Sequence, residues 1–174
     1  MNVYYAKTAL YAYANLDAIM EQIDELVEKK ALSSMSDFSS ALEQCESILN
    51  YTFQKDILIE LKLHIDGVLS KLKDEDLDFL DYKYFKQKPK DYYADFDFES
   101  RNYFRKQNKL ATRVARLLES SGATDEWFRK NCLKIDFFFE LYKRTLAHEK
   151  SYSKKAKKKS AKDNNIKNFQ KLSA

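Results

Sequence analysis

The chain has 174 residues, 44% apolar and 33% charged, with a formal net charge of +4, a length that suits one compact domain, or one and a half, around a real core. Two glycines and one proline exclude a fold rich in tight turns and hairpins. Cys45 and Cys132 stand far apart, with no CxxC and no histidine at ligand spacing, so neither a disulfide framework nor a zinc site is supported and a reduced cytoplasmic protein is expected.

The predicted class is all-α. Strict apolar/polar alternation occurs only briefly, from Ile57 to Leu63, and that run also fits a helical stripe of Leu58, Leu61, Ile65, Leu69 and Leu72. The N-terminal residues carry no long apolar run and no small-residue cleavage site, so neither a signal peptide nor a membrane span is predicted.

In chain order, the first helix is predicted over residues 7–30, with Leu10, Tyr13, Leu16, Met20, Ile23 and Val27 on one face. Residues 31–35 form the break. A second helix is expected to open near Ser36 or Ser40, where Ser40-Ala41-Leu42-Glu43 has the form of a capping box. Its apolar stripe is Phe38, Leu42, Cys45, Leu49 and Phe53, leading to the helix over 57–72, with an interruption at 50–55 left open. The heptad-like stripes at 16, 20, 23, 27 and at 58, 61, 65, 69, 72 suit antiparallel packing within one chain or between two.

The next helix is predicted over 74–85, opening on Asp74, Glu75 and Asp76, which favour the positive N-terminal end. Leu77, Leu80 and Tyr84, with Phe85 as a further candidate, are its buried side, and Lys88-Pro89 stops it. A short helix around 91–96 and a turn at 97–99 precede Ser100, a capping residue for the helix that follows. That helix is the most informative part of the chain. From Arg101 to Arg116 it holds six basic residues and no acid. Arg101, Arg105, Lys109, Arg113 and Arg116 recur every three or four positions and line one side of a 3.6-residue helix, with Tyr103, Leu110, Val114 and Leu117 nearly opposite. Like charges four apart weaken a helix by a few tenths of a kcal/mol, so the stripe suits a polyanion, with a surplus-charge surface helix as the plain alternative. Gly122 suits the terminal left-handed position. Thr124 begins a further helix with Trp127 and Phe128, and Ile135, Phe138, Phe139, Tyr142 and Leu146 form the last apolar face.

The tail makes the protein basic. Residues 150–174 hold nine lysines and one aspartate, a net +8, leaving 22 bases against 26 acids, a net −4, in residues 1–149. Lys154, Lys155, Lys157, Lys158 and Lys159 lie in a stretch too polar to bury anything, so a disordered extension that attracts phosphates without reading sequence is predicted.

The order Leu72-Lys-Asp-Glu-Asp-Leu77-Asp-Phe-Leu80-Asp-Tyr-Lys-Tyr84-Phe85, a short helix, a turn, then Ser100-Arg-Asn-Tyr103-Phe104-Arg105 resembles the helix-turn-helix of sigma-factor region four. It is more similar still to phage late-gene transcription activators of the RinA and ArpU type, in which long helices precede that module. The resemblance implies that Ser100 opens a recognition helix, that Tyr103 and Phe104 anchor it, and that Arg101, Asn102, Arg105 and Lys106 face DNA. The match covers residues 60–120. It departs at Asp97, where the family often has leucine, and in lacking the turn glycine.

The expected organisation is a helical packing or dimerisation region over 1–72, a helix-turn-helix module over 73–122, a helical segment over 123–149 and the basic tail over 150–174. The expected DNA-binding residues are Ser100, Arg101, Asn102, Arg105, Lys106, Lys109, Arg113 and Arg116, on a sequence-specific regulator of double-stranded DNA of phage or mobile-element type, with RNA polymerase and a second copy as further partners and no membrane. The alternative is a helical interaction or scaffold protein whose tail contacts nucleic acid without sequence reading. His64 and His148 lie 84 positions apart on separate predicted helices and no acidic pair stands out, so no enzyme, cofactor or metal is predicted. The aromatic run from Tyr82 to Phe104 reads mostly as core, with a stacking platform for single strands as the other reading.

Overall fold

The computed structural model describes residues 1–33, 41–93 and 100–148, and among these there is helix and no strand. Helix α1 (Val3–Tyr13) is capped by Asn2, whose side chain accepts the Tyr4 N–H at 2.9 Å. Ala6, Ala9, Leu10 and Ala12 are fully buried, because three alanines leave room for neighbouring helices to approach the α1 backbone closely. Helices α1 and α2 (Leu16–Ser33) are separate, broken at Ala14-Asn15, where a single helix over 7–30 was predicted. The reason is directional: α1 lies against the helix of residues 100–120, whereas α2 runs along α3 (Ala41–Leu69).

The α2–α3 pair is an antiparallel hairpin of intramolecular packing. Its register is fixed by Lys62 on Asp17 at 2.5 Å and Lys55 on Asp24 at 2.6 Å, with Leu16 and Ile23 buried alongside Ile57, Leu58, Leu61 and Ile65. Tyr13 closes the base by donating its hydroxyl to Asp66 Oδ1 at 2.6 Å; burial first, then that hydrogen bond, raises its pKa above the ordinary phenol value. Helix α3 runs without interruption through residues 50–55. The stripe predicted to be buried on its first half faces solvent instead: Leu42, Leu49 and Phe53 are 69, 68 and 60% exposed, and Cys45 is exposed. Residues 34–40, with the expected cap at Ser40 and with Phe38, lie outside the described residues.

Helix α4 (Asp74–Leu80) opens on three acids and widens into a π turn at Asp81–Phe85. It ends at Lys86, whose φ of 54° is left-handed, before the predicted stop at Lys88-Pro89. Buried Asp81 organises this ending, since its carboxylate accepts the backbone N–H groups of Gln87 at 3.2 Å and Lys88 at 3.1 Å and the hydroxyl of Tyr93. A 3-10 turn, Lys90–Tyr93, follows. The rest of the expected 91–96 helix and the turn at 97–99 lie outside the described residues.

Helix α5 (Ser100–Ser120) is the longest element after α3. It ends in a Schellman arrangement: Ala123 N–H donates to Leu118 O at 3.0 Å and Gly122 N–H to Glu119 O at 3.2 Å, with Gly122 at φ 107°. Thr124 then caps α6 (Asp125–Lys130) by accepting the Trp127 N–H at 3.2 Å. After a 3-10 turn at Cys132–Lys134, residues 136–148 form α7. Its buried side is Phe138 and Thr145, continuous with Ile135, whereas Phe139, predicted to be core, is exposed and lies under Lys143 Nζ at 4.1 Å. One buried cluster runs from Ala6 through Leu61, Phe79 and Leu118 to Phe138. It draws on every one of these helices except the exposed half of α3.

Candidate nucleic-acid interface

Two chemically opposed faces of α5 define the candidate site. Gln107, Leu110, Ala111, Val114, Ala115 and Leu118 are buried, repeating at the three- and four-residue spacing of one helical face. That face rests chiefly on α1 and α3. Asn102, Arg105, Lys109, Arg113 and Arg116 are exposed on the other side. Arg105, Lys109 and Arg116 form no salt bridge with a described carboxylate, while Arg113 reaches Asp76 Oδ2 at 3.1 Å. Glu119, the acid nearest the end of the stripe, is taken by the amino group of Met1.

The remaining expected residues divide. Lys106 is half-buried, its Nζ 5.3 Å from the Phe79 ring centre, and so leans toward α4 rather than out with Arg105. Tyr103 is half-buried and packs on Phe79 with ring centres 5.3 Å apart. Phe104, an anchor under the resemblance, is 40% exposed. Ser100 and Arg101 belong to the helical backbone, but their side chains, and Lys154, Lys155, Lys157, Lys158 and Lys159 of the tail, lie outside what is described. Helix α4 meets α5 through side chains, namely Phe79 on Tyr103, Gln107 Nε2 donating to the Tyr84 hydroxyl at 3.5 Å, and the Asp76–Arg113 pair.

A second feature was not anticipated. Beside the start of α5 lies a cleft of about 890 Å³ lined by Lys83, Lys86, Lys88, Arg144 and His148 together with Tyr11, Tyr82, Tyr93 and Tyr103. The run Lys83, Lys86, Lys88 is visible in sequence as a basic cluster; Arg144 and His148 come from α7, some sixty residues on, and nothing local announces that they join it.

His64 is held structurally, with Nδ1 3.1 Å from Ser121 Oγ and its ring edge-on to Trp127. Burial raises the Cys132 thiol pKa well above its ordinary value, which keeps it protonated and unreactive. Among the described residues no group of three His, Cys, Asp or Glu side chains is placed to hold a metal ion, and no helix is long and apolar enough to cross a membrane. Compared with known proteins, the chain matches no family model, no curated protein and no solved structure.

Proposed function

We propose that this protein binds double-stranded DNA through the exposed face of α5 and regulates transcription by reading sequence there. One observation carries the reading: Arg105, Lys109 and Arg116 are exposed together on the side opposite the buried arc and are not neutralised by a described carboxylate. Three such cations along one helix attract a row of phosphates, and a helix whose back is rigidly packed holds their spacing. The first turn, Ser100 to Arg105, is the part that reaches base edges in such docking. On the resemblance to phage late-gene activators, the proposed regulator is of phage or mobile-element type, with RNA polymerase as a further partner to be tested. The lysine tail adds attraction to any sequence.

The test is a gel shift of full-length protein and of residues 1–149 on random duplex and on a selected high-affinity duplex, each at two salt concentrations. Sequence preference retained after removal of the tail supports the helix as reader. Loss of all binding with the tail refutes it.

A second reading, a helical interaction protein, is favoured by the solvent-facing Leu42, Leu49 and Phe53, which recur on one stripe of α3, as exposed apolar residues do at protein contacts. It predicts capture of a partner through that patch with no preference among DNA sequences.

A further inference from the structure

The cleft beside α5 carries chemistry that a duplex-binding helix does not need. Eleven residues line it and none is Asp or Glu. Its positive side chains come from two sources that the fold holds in place independently. Lys86 and Lys88 sit on the loop whose backbone is pinned by the buried Asp81 carboxylate, and Arg144 projects from α7, anchored by Phe138 and Thr145. Lys88 is committed to Asp78 at 2.5 Å, whereas Lys86 and Arg144 are exposed and form no salt bridge with a described carboxylate.

The walls are aromatic. Tyr82 meets Tyr93 edge to face at 5.1 Å and Tyr103 at 6.3 Å, near a right angle in the second case, so the rings are fixed against one another. Tyr82 stays 38% exposed. A cleft of about 890 Å³ falls within the roughly 300–1,000 Å³ of small-molecule sites. A lining that combines basic side chains with tyrosyl rings recognises a ligand with a flat ring at one end and a multiply charged anion at the other.

We propose that this cleft binds a nucleoside phosphate unit, its base against Tyr82 and Tyr103 and its phosphates between Lys86 and Arg144. The unit comes either as a free nucleotide or as the phosphorylated end of a single strand. This inference is independent of duplex binding by α5.

Calorimetric titration of the full chain with ATP, CTP, adenosine, tripolyphosphate and a 5′-phosphorylated eight-nucleotide single strand tests it. The expected result is that ATP or CTP binds at least tenfold more tightly than both adenosine and tripolyphosphate. Lys86→Asn/Arg144→Gln, both exposed positions and the first suited to its left-handed φ, raises that Kd at least tenfold with an unchanged melting curve. If the double variant fails to fold, Arg144→Gln alone is measured, with a loss of at least threefold expected. Substitution of Arg105, Lys109 and Arg116 leaves nucleotide binding unaltered, which separates failure here from failure of the duplex reading. Tighter binding of the single strand than of free nucleotide assigns the strand end as the source, and the reverse assigns the free nucleotide. Absence of nucleotide binding at millimolar concentration, equal binding of tripolyphosphate, or indifference to the Lys86 and Arg144 changes overturns the proposal.

Discussion

Replacing Arg105, Lys109 and Arg116 together by glutamine separates binding from folding. All three side chains are exposed and form no salt bridge with a described carboxylate, so the fold depends little on them, and surface changes of this kind stay within about 0.5 kcal/mol. The sign is slightly favourable, because Arg105 and Lys109 are like charges four apart and repel by a few tenths of a kcal/mol. DNA binding responds strongly. Every phosphate deprived of its cation takes about 0.9 from the slope of log affinity against log salt, so three take roughly 2.7. Raising salt from 50 to 200 mM therefore narrows the affinity gap between parent and variant by roughly 40-fold. Fluorescence anisotropy with a labelled duplex across that range, beside urea unfolding of both proteins, provides both numbers. Parallel salt slopes, or a variant that unfolds several kcal/mol more easily, would refute the assignment of this face to phosphates.

Three further outcomes follow from packing. Leu110→Ala, on the buried side of the same helix, destabilises by about 2–5 kcal/mol in urea unfolding, whereas Leu49→Ala on the exposed side of α3 changes stability by less than about 0.5 kcal/mol; equal effects would contradict the burial pattern. Gly122→Ala costs about 1–2 kcal/mol for a side chain at positive φ, and its new Cβ lies 3.4 Å from His64 Cε1, so a thermal melt unchanged from the parent would show that the α5 terminus is built differently. In a thiol-labelling time course at pH 8, Cys45 reacts rapidly and Cys132 only on unfolding, because Cys132 is fully buried and its pKa is raised; two fast thiols would disprove the burial.

Helix α5 was legible in the sequence because separate signals coincide: a basic stripe and an apolar stripe at helical spacing, and a glycine at the terminal left-handed position. The hairpin was legible in its antiparallel pairing, whereas the stripes alone left open whether they pair within one chain or between two; here α2 and α3 pair within the chain. The break at Ala14-Asn15 was not legible, as no proline or glycine marks it; there the chain turns from α1, which packs chiefly on α5, to α2, which runs along α3. Periodicity also misassigned Leu42, Leu49 and Phe53. A stripe at 3.6 spacing says that a helix is amphipathic, not that the fold covers that side, and α3 carries its buried Ile57, Leu58, Leu61 and Ile65 on a different azimuth. The π turn at 81–85 depends on Asp81 gripping a loop that follows it, and the cleft joins Lys86 to Arg144 from far along the chain. Associations of that range leave no local mark.

The burial of α1 has a consequence for how the polypeptide matures. Ala6, Ala9, Leu10 and Ala12 are synthesised well before the helix that packs most heavily on α1, whose Leu110 and Val114 follow roughly a hundred residues later. At about 5–20 residues per second, that is a wait of roughly 5–20 s. The hairpin partners of α2 lie far closer along the chain, so α2 and α3 are free to zip while α1 still lacks the part of its cover that α5 supplies. During synthesis the alanine-rich face thus waits on α5 for its largest contact, and docking of α5 completes its burial.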